Sequence, residues 1–321
     1  EWDHNVLTDL AGEYRITENH VLRLNDTFTY SNEGTLLDRG AVITSPVRSD
    51  QSNIKNNLDF RYDAQLTPLF GLELGYRNMF YDYNQEGDGS FSALLDRAEH
   101  RARAETRWTI TPNVAGILGY WYEMVRFRDK YLLYSGIPES TPEIRNSNNH
   151  YIVTGADWTV SPHCFLSARG GMVNTIYNEM PDEPSQWNGF GDLSTTFEYL
   201  EDCYFRVGAQ YGKNRTDAIS PITPTEYSQV TLDQDTFAAY GVVSHQLTPQ
   251  LTGRATGQAQ WSAFNGGLYD GENVGVYIAG LSLLYDLNDY LGLEAGYNFD
   301  RVDSDLPNQS YSRNRVFLGV R

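Results

Sequence analysis

The chain has 321 residues, 40% of them hydrophobic, yet its mean hydropathy is −0.50. No apolar run approaches the roughly 18 residues a membrane-spanning helix needs. A formal charge of −18 argues against a nucleic-acid partner, which requires positive charge to neutralise phosphates, and against a basic membrane-surface anchor. The opening Glu1-Trp2-Asp3-His4 lacks the basic and apolar stretches of a signal peptide, so a cytosolic or a processed, mature chain is expected. Tyr and Gly, at 23 and 28 residues, favour strands and tight turns over helices.

From the first segment onward one short turn recurs. Its copies are Ile16-Thr17-Glu18-Asn19, Leu66-Thr67-Pro68-Leu69, Ile110-Thr111-Pro112-Asn113, Val160-Ser161-Pro162-His163, Leu200-Glu201-Asp202, Leu247-Thr248-Pro249-Gln250 and Leu287-Asn288-Asp289-Tyr290. They fall about 40 to 50 residues apart, a spacing typical of repeat architectures. The pattern is an apolar residue, then Thr, Ser or Asn, then Pro or an acid. Pro presets the turn dihedral, and the small polar residue can bond back to the backbone. Between these turns lie longer connections rich in Gly, Pro, Asp, Glu, Ser and Asn: Glu33–Gln51, Gln85–Leu95, Asp129–Asn146, Met180–Gln186, Thr216–Thr231, Gly266–Gly271 and Asp303–Gln309.

The segments in between alternate. Leu58, Phe60, Tyr62, Ala64 and Leu66 oppose Asn57, Asp59, Arg61, Asp63 and Gln65; Leu72, Leu74, Tyr76 and Phe80 oppose Glu73, Gly75 and Arg77. Ala98, Ala102, Ala104, Trp108 and Ile110 oppose Arg97, Glu99, Arg101, Arg103, Glu105 and Arg107. Near the end Leu291, Leu293, Ala295, Tyr297 and Phe299 oppose Gly292, Glu294, Gly296, Asn298 and Asp300. Such period-two patterning means strands with one apolar and one polar face. At about 12 to 15 residues the segments exceed the strands of a soluble propeller or solenoid and suffice to cross a bilayer at a tilt. Aromatics recur at both strand ends: Tyr14, Trp108, Trp158, Phe197, Tyr199 and Tyr285 near the short turns, and Tyr30, Phe80, Tyr122, Trp261 and Phe299 toward the loops. Two interfacial girdles and the turn–loop asymmetry predict an all-β chain, one domain over residues 1–321. The expected fold is a transmembrane antiparallel up-and-down β-barrel in a Gram-negative-type outer membrane, with short periplasmic turns and long extracellular loops.

Seven tight turns imply fourteen strands, and Ser310–Arg321 adds a fifteenth. Because single-chain barrels carry even counts, the expectation is 15–16 strands, with one ahead of Glu1 and a few residues beyond Arg321. The last strand, Ser312-Arg313-Asn314-Arg315-Val316-Phe317-Leu318-Gly319-Val320-Arg321, places Val316, Leu318 and Val320 in phase, as in a terminal strand read by barrel-assembly machinery. With the turn–strand repeats it resembles the β-barrel porin-2 family of outer-membrane proteins, over essentially the whole chain. Members of that family often accompany exopolysaccharide gene clusters. The resemblance therefore implies an export conduit as an alternative to a simple porin.

No enzymatic chemistry is expected. Cys164 and Cys203 form neither a disulfide framework nor a metal pair. Neither a phosphate-binding loop nor zinc spacing occurs, so no cofactor or metal is expected. Of the six histidines, His150 near the start of its strand is the one weak candidate for a rim protease site, and a solvated rim histidine is the simpler reading. What remains is the polar face. Arg61, Glu73, Arg77, Arg97, Glu99, Arg101, Arg103, Glu105, Arg107, Arg169, Arg206 and Arg254 are the candidate pore-lining residues. Rings of opposite charge facing one another would select hydrophilic solutes; charges paired along the wall would merely solvate it. Acids such as Asp38, Glu86, Asp88, Glu139, Glu143, Glu179, Asp182, Glu183, Asp217, Glu226, Asp270, Glu272, Asp303 and Asp305 populate the loops, without calcium-loop spacing. Expected partners are outer-membrane lipid and lipopolysaccharide, the assembly machinery, and a periplasmic or secretion-system protein if the barrel is a conduit. The loops Glu33–Gln51 and Asp129–Asn146 are the candidates to fold inward and narrow a pore.

Overall fold

The computed structural model describes residues 6–31, 53–134, 140–180, 185–216, 231–288, 291–306 and 309–320. Its strands are β1 (Val6–Thr17), β2 (His20–Ser31), β3 (Asn53–Thr67), β4 (Phe70–Tyr83) and β5 (Arg97–Thr111). Next come β6 (Val114–Phe127), β7 (Ser147–Ser161), β8 (Cys164–Tyr177), β9 (Gln186–Leu200) and β10 (Cys203–Asn214). The last are β11 (Asp233–Thr248), β12 (Leu251–Asn265), β13 (Asn273–Asn288), β14 (Leu291–Ser304) and β15 (Tyr311–Val320). All fifteen form one antiparallel sheet in chain order, the count read from the turns. Within the described residues β1 pairs only with β2 and β15 only with β14, and both run toward the short-turn end.

The recurring turn has a specific geometry. In six hairpins the register shifts at the apolar residue that opens the motif, between Arg15 and Thr17, Gln65 and Thr67, Thr109 and Thr111, Thr159 and Ser161, Gln246 and Thr248, and Asp286 and Asn288. Ile16, Leu66, Ile110, Val160, Leu247 and Leu287 are thus the extra residues of β-bulges, and all six are exposed on the surface. The following Thr or Ser bonds back to the backbone: Asn19 N, Leu69 N, His163 N and Gln250 N donate to the hydroxyls of Thr17, Thr67, Ser161 and Thr248. Adjacent hairpins then interlock, because the N–H groups of Gln65, Thr109, Thr159 and Asp286 donate to the turn carbonyls of Asn19, Leu69, Asn113 and Gln250. Thr67 also accepts from Phe70 N, at 3.1 Å. Thr67→Ala is therefore expected to cost about 1 kcal/mol, read as a lower midpoint in urea unfolding of the detergent-solubilised barrel.

Outside, the girdle aromatics take the apolar phase of their strands. Histidines share that face in pairs: His20 with Tyr62 (2.6 Å), His100 with Tyr76 (2.7 Å), His150 with Tyr120 (2.6 Å) and His245 with Tyr199 (3.0 Å). A polar group turned toward lipid needs such a partner, since water is absent there. His150 is therefore part of the outer wall rather than of a rim site. Cys164 and Cys203 are free thiols.

Candidate functional site in the lumen

The alternation of β5 carries Arg97, Glu99, Arg101, Arg103, Glu105 and Arg107 onto the inner face, and register aligns them with β4 and β6. Asp59 on β3 is their hub. It is 3% exposed and meets Arg61 Nε at 2.8 Å, Arg77 Nε at 2.9 Å and Arg103 Nη2 at 3.0 Å. Gly75, opposite Arg103 in register, leaves the space through which that guanidinium passes; a side chain there would collide with it. Glu73 lies 3.3 Å from Arg103 and 3.7 Å from Arg107. Arg97 pairs with Glu99 at 2.7 Å. Arg107 and Arg169 share Asp157, the latter at 2.8 Å. Glu105 accepts from Trp121 Nε1.

Arg101 donates to Glu123 of β6 and lies over the rings of Trp121 and Tyr151. Glu123 also accepts from Asn149 and Tyr151. Arg215, in the connection after β10, reaches Glu123 at 3.5 Å although three strands lie between β6 and β10. The charges therefore neutralise one another along one wall, β3 to β8, instead of facing across the lumen. Burial makes such pairing obligatory, because an ion removed from water without a partner is costly.

Arg206 donates to Thr196 Oγ1. Arg254 is exposed on the inner face of β12 and has no ion pair among the described residues. The wall from β10 to β12 is otherwise uncharged over much of its height, presenting Gln210, Thr236, Gln258, Gln260 and Ser262, all buried.

The loop end of the lumen is filled. The connection after β4 forms a short helix, α1 (Phe91–Leu95), with Ser90 Oγ accepting from Ala93 N. The next loop carries a 3-10 helix over Pro142–Arg145. Leu94 and Leu95 pack with Met79, Tyr81, Tyr83, Leu133, Tyr177 and Leu232 in one apolar cluster. Burial of each such side chain contributes about 1.5–3 kcal/mol. Arg145, 1% exposed, ties the cluster together: it donates to the carbonyls of Leu94, at 2.9 Å, and Thr216, and lies over the Phe127 ring. A second cluster, Phe264, Val274, Val276, Ile278, Val302 and Leu306, covers the same end of β12 to β14.

Asp129–Asn146 thus folds inward as expected where it is described, while Glu33–Gln51 lies outside the described residues. The inward role of Gln85–Leu95 is additional. A signal for it exists in the sequence: from Met79 to Tyr83 the inner phase of β4 turns from charged to apolar, so the strand end expects cover on both faces. Glu123, Arg145 and Arg215 were not among the sequence candidates. Arg145 and Arg215 sit in connections, where no alternation marks a facing.

Several acids of the described loops serve as backbone acceptors. Asp88 accepts from Leu132 N, Asp129 from Tyr131 N, Asp270 from Gly266 N and Asp305 from Asn273 N. Asp38, Glu139, Asp182, Glu183, Asp217 and Glu226 lie outside the described residues. Asp96, between α1 and β5, accepts from Tyr83 N at 2.7 Å, yet burial, together with the nearby Asp82 and Asp129 carboxylates, pushes its carboxyl up to about 7. An acid raised in the folded loop favours that loop while it keeps its proton. The stabilisation is full below the unfolded value of about 3.9 and is lost as pH rises through about 7. Protease protection of the α1 loop should accordingly fall as pH rises toward 8. In Asp96→Asn, which keeps the acceptor for Tyr83, protection should be flat with pH.

Residues 234–321 match the model of the family described as "Putative beta-barrel porin 2". The resemblance seen in the last strand is therefore found over β11 to β15, not over the entire chain. No curated protein matches the sequence. Among solved structures the chain is similar to "Copper transporter OprC", at 10% identity and a TM-score of 0.50, covering 98% of this chain and 57% of that one. It is also similar to the FrpB iron transporter from Neisseria meningitidis (F5-1 variant, apoprotein form), at 8% identity and a TM-score of 0.51, covering 94% and 52%. At these identities the likeness is one of fold. The chain spans a little over half the length of these structures.

Proposed function

Starting from an outer-membrane β-barrel of porin type, we propose that the chain is a channel for small hydrophilic solutes, narrowed in its extracellular half by its own loops. One observation carries this reading. Toward the periplasmic turns the inner face is polar and open, with Glu198, Arg254 and Asp286 exposed, whereas toward the loops the inner face is covered. The outward, exposed Val316, Leu318 and Val320 of β15 support assembly machinery as a partner, and the girdles support outer-membrane lipid and lipopolysaccharide.

A second reading is an export conduit working with a secretion-system partner, such as one moving an exopolysaccharide. It is favoured by the uncharged polar stretch Gln210, Thr236, Gln258, Gln260 and Ser262 on β10 to β12, which puts no fixed charge along that wall to hold back a neutral polymer. Single-channel recording in planar bilayers separates the two. Ohmic conductance from the purified chain supports the channel. A barrel that stays silent, even after the loops covering its mouth are released, supports the conduit.

A further inference from the structure

We propose that ion selectivity is set by four unpaired charges at one level of the lumen, Glu198, Arg254, Asp286 and Glu294, and not by the arginine-rich wall. The inference rests on the channel reading.

The four share a height. Each lies within a few residues of the periplasmic end of its strand: Glu198 before the end of β9 at Leu200, Arg254 after the start of β12 at Leu251, Asp286 before the end of β13 at Asn288, and Glu294 after the start of β14 at Leu291. They share a facing. Glu198 pairs in register with Tyr204, which keeps the inner phase of Arg206; Asp286 lies opposite Gly292, and Glu294 opposite Gly319. Arg254, Asp286 and Glu294 stand on the consecutive strands β12, β13 and β14, and Glu198 faces the same level from β9. Within the described residues none of the four makes an ion pair or a side-chain hydrogen bond, and three are exposed.

The arginine-rich wall differs in both respects. Arg77, Arg97 and Arg101 are buried and Arg103 half-buried, each with a carboxylate within 3.3 Å. To a passing ion such a pair is a dipole, whose field falls off faster than that of a lone charge. An unpaired charge acts over a Debye length, about 8 Å at physiological ionic strength, which is comparable to the reach from wall to axis in a wide lumen. Three carboxylates against one guanidinium leave an excess of negative charge at this level, hence a preference for cations.

The test is the reversal potential of the full chain in planar bilayers under a tenfold potassium chloride gradient. The wild type should be cation-selective. The triple substitution Glu198→Gln, Asp286→Asn, Glu294→Gln leaves Arg254 alone and should reverse the sign. Arg254→Gln should strengthen the cation preference. Arg97→Gln with Glu99→Gln removes a buried pair and should leave the potential where it was, folding being checked by heat-modifiable gel migration. Conduction with a potential that ignores the triple substitution overturns the proposal and spares the channel. So does a shift of equal size from the buried pair. Silence from every variant overturns the channel reading and this proposal with it.

Discussion

Arg145→Ala is expected to release the loops from the lumen and raise single-channel conductance severalfold. Arg145 is one of the largest fully buried side chains, and its guanidinium donates to carbonyls in two other connections, Leu94 before β5 and Thr216 after β10. Alanine leaves both buried carbonyls without that donor, at about 1–3 kcal/mol each. The stacking on Phe127 is lost as well, worth about 0.5–2 kcal/mol. That sum is large against the stability of a loop but small against a sheet whose every neighbouring strand pair is hydrogen-bonded. The barrel should therefore persist while α1 and the 3-10 segment come away. Arg145→Lys keeps the charge but not the planar fork and should fall between. The measurement is conductance together with protease cleavage within residues 84–96; unchanged conductance with the loop still protected would sink the idea.

Asp59→Ala should give the largest loss of stability in the wall, about 3–5 kcal/mol, the cost of leaving a buried ion unpaired. Arg103 retains Glu73, and Arg61 is exposed enough to find water, but Arg77 is 9% exposed at its side chain and pairs with Asp59 alone among the described residues. A double substitution, Asp59→Ala with Arg77→Met, should recover most of the loss because the stranded charge leaves with its partner. Urea unfolding in detergent, followed by heat-modifiable migration, reads both. If the single variant unfolds at the wild-type midpoint, the hub role fails. Salt should change little in either case, since screening acts weakly on buried pairs.

The barrel itself was legible because its determinants are local. A period of two assigns each residue of a strand to one face without reference to any other strand. So Arg97 to Arg107, Arg169, Arg206 and Arg254 all take the inner phase, and Trp108, Trp158 and Tyr199 the outer one. The turns were equally local: the apolar residue supplies the bulge, and the Thr or Ser hydroxyl bonds two residues onward.

What these inward charges do was decided only by the tertiary structure. Asp59 and Arg103 meet across two strand pairings, and Arg215 reaches Glu123 past the three strands between β6 and β10. Arg145 joins connections far apart in the chain. Alternation fixes a direction but not a partner. Whether a luminal charge is cancelled or left free, as at Arg254, depends on register and on where the loops settle, and both are set by packing between distant segments.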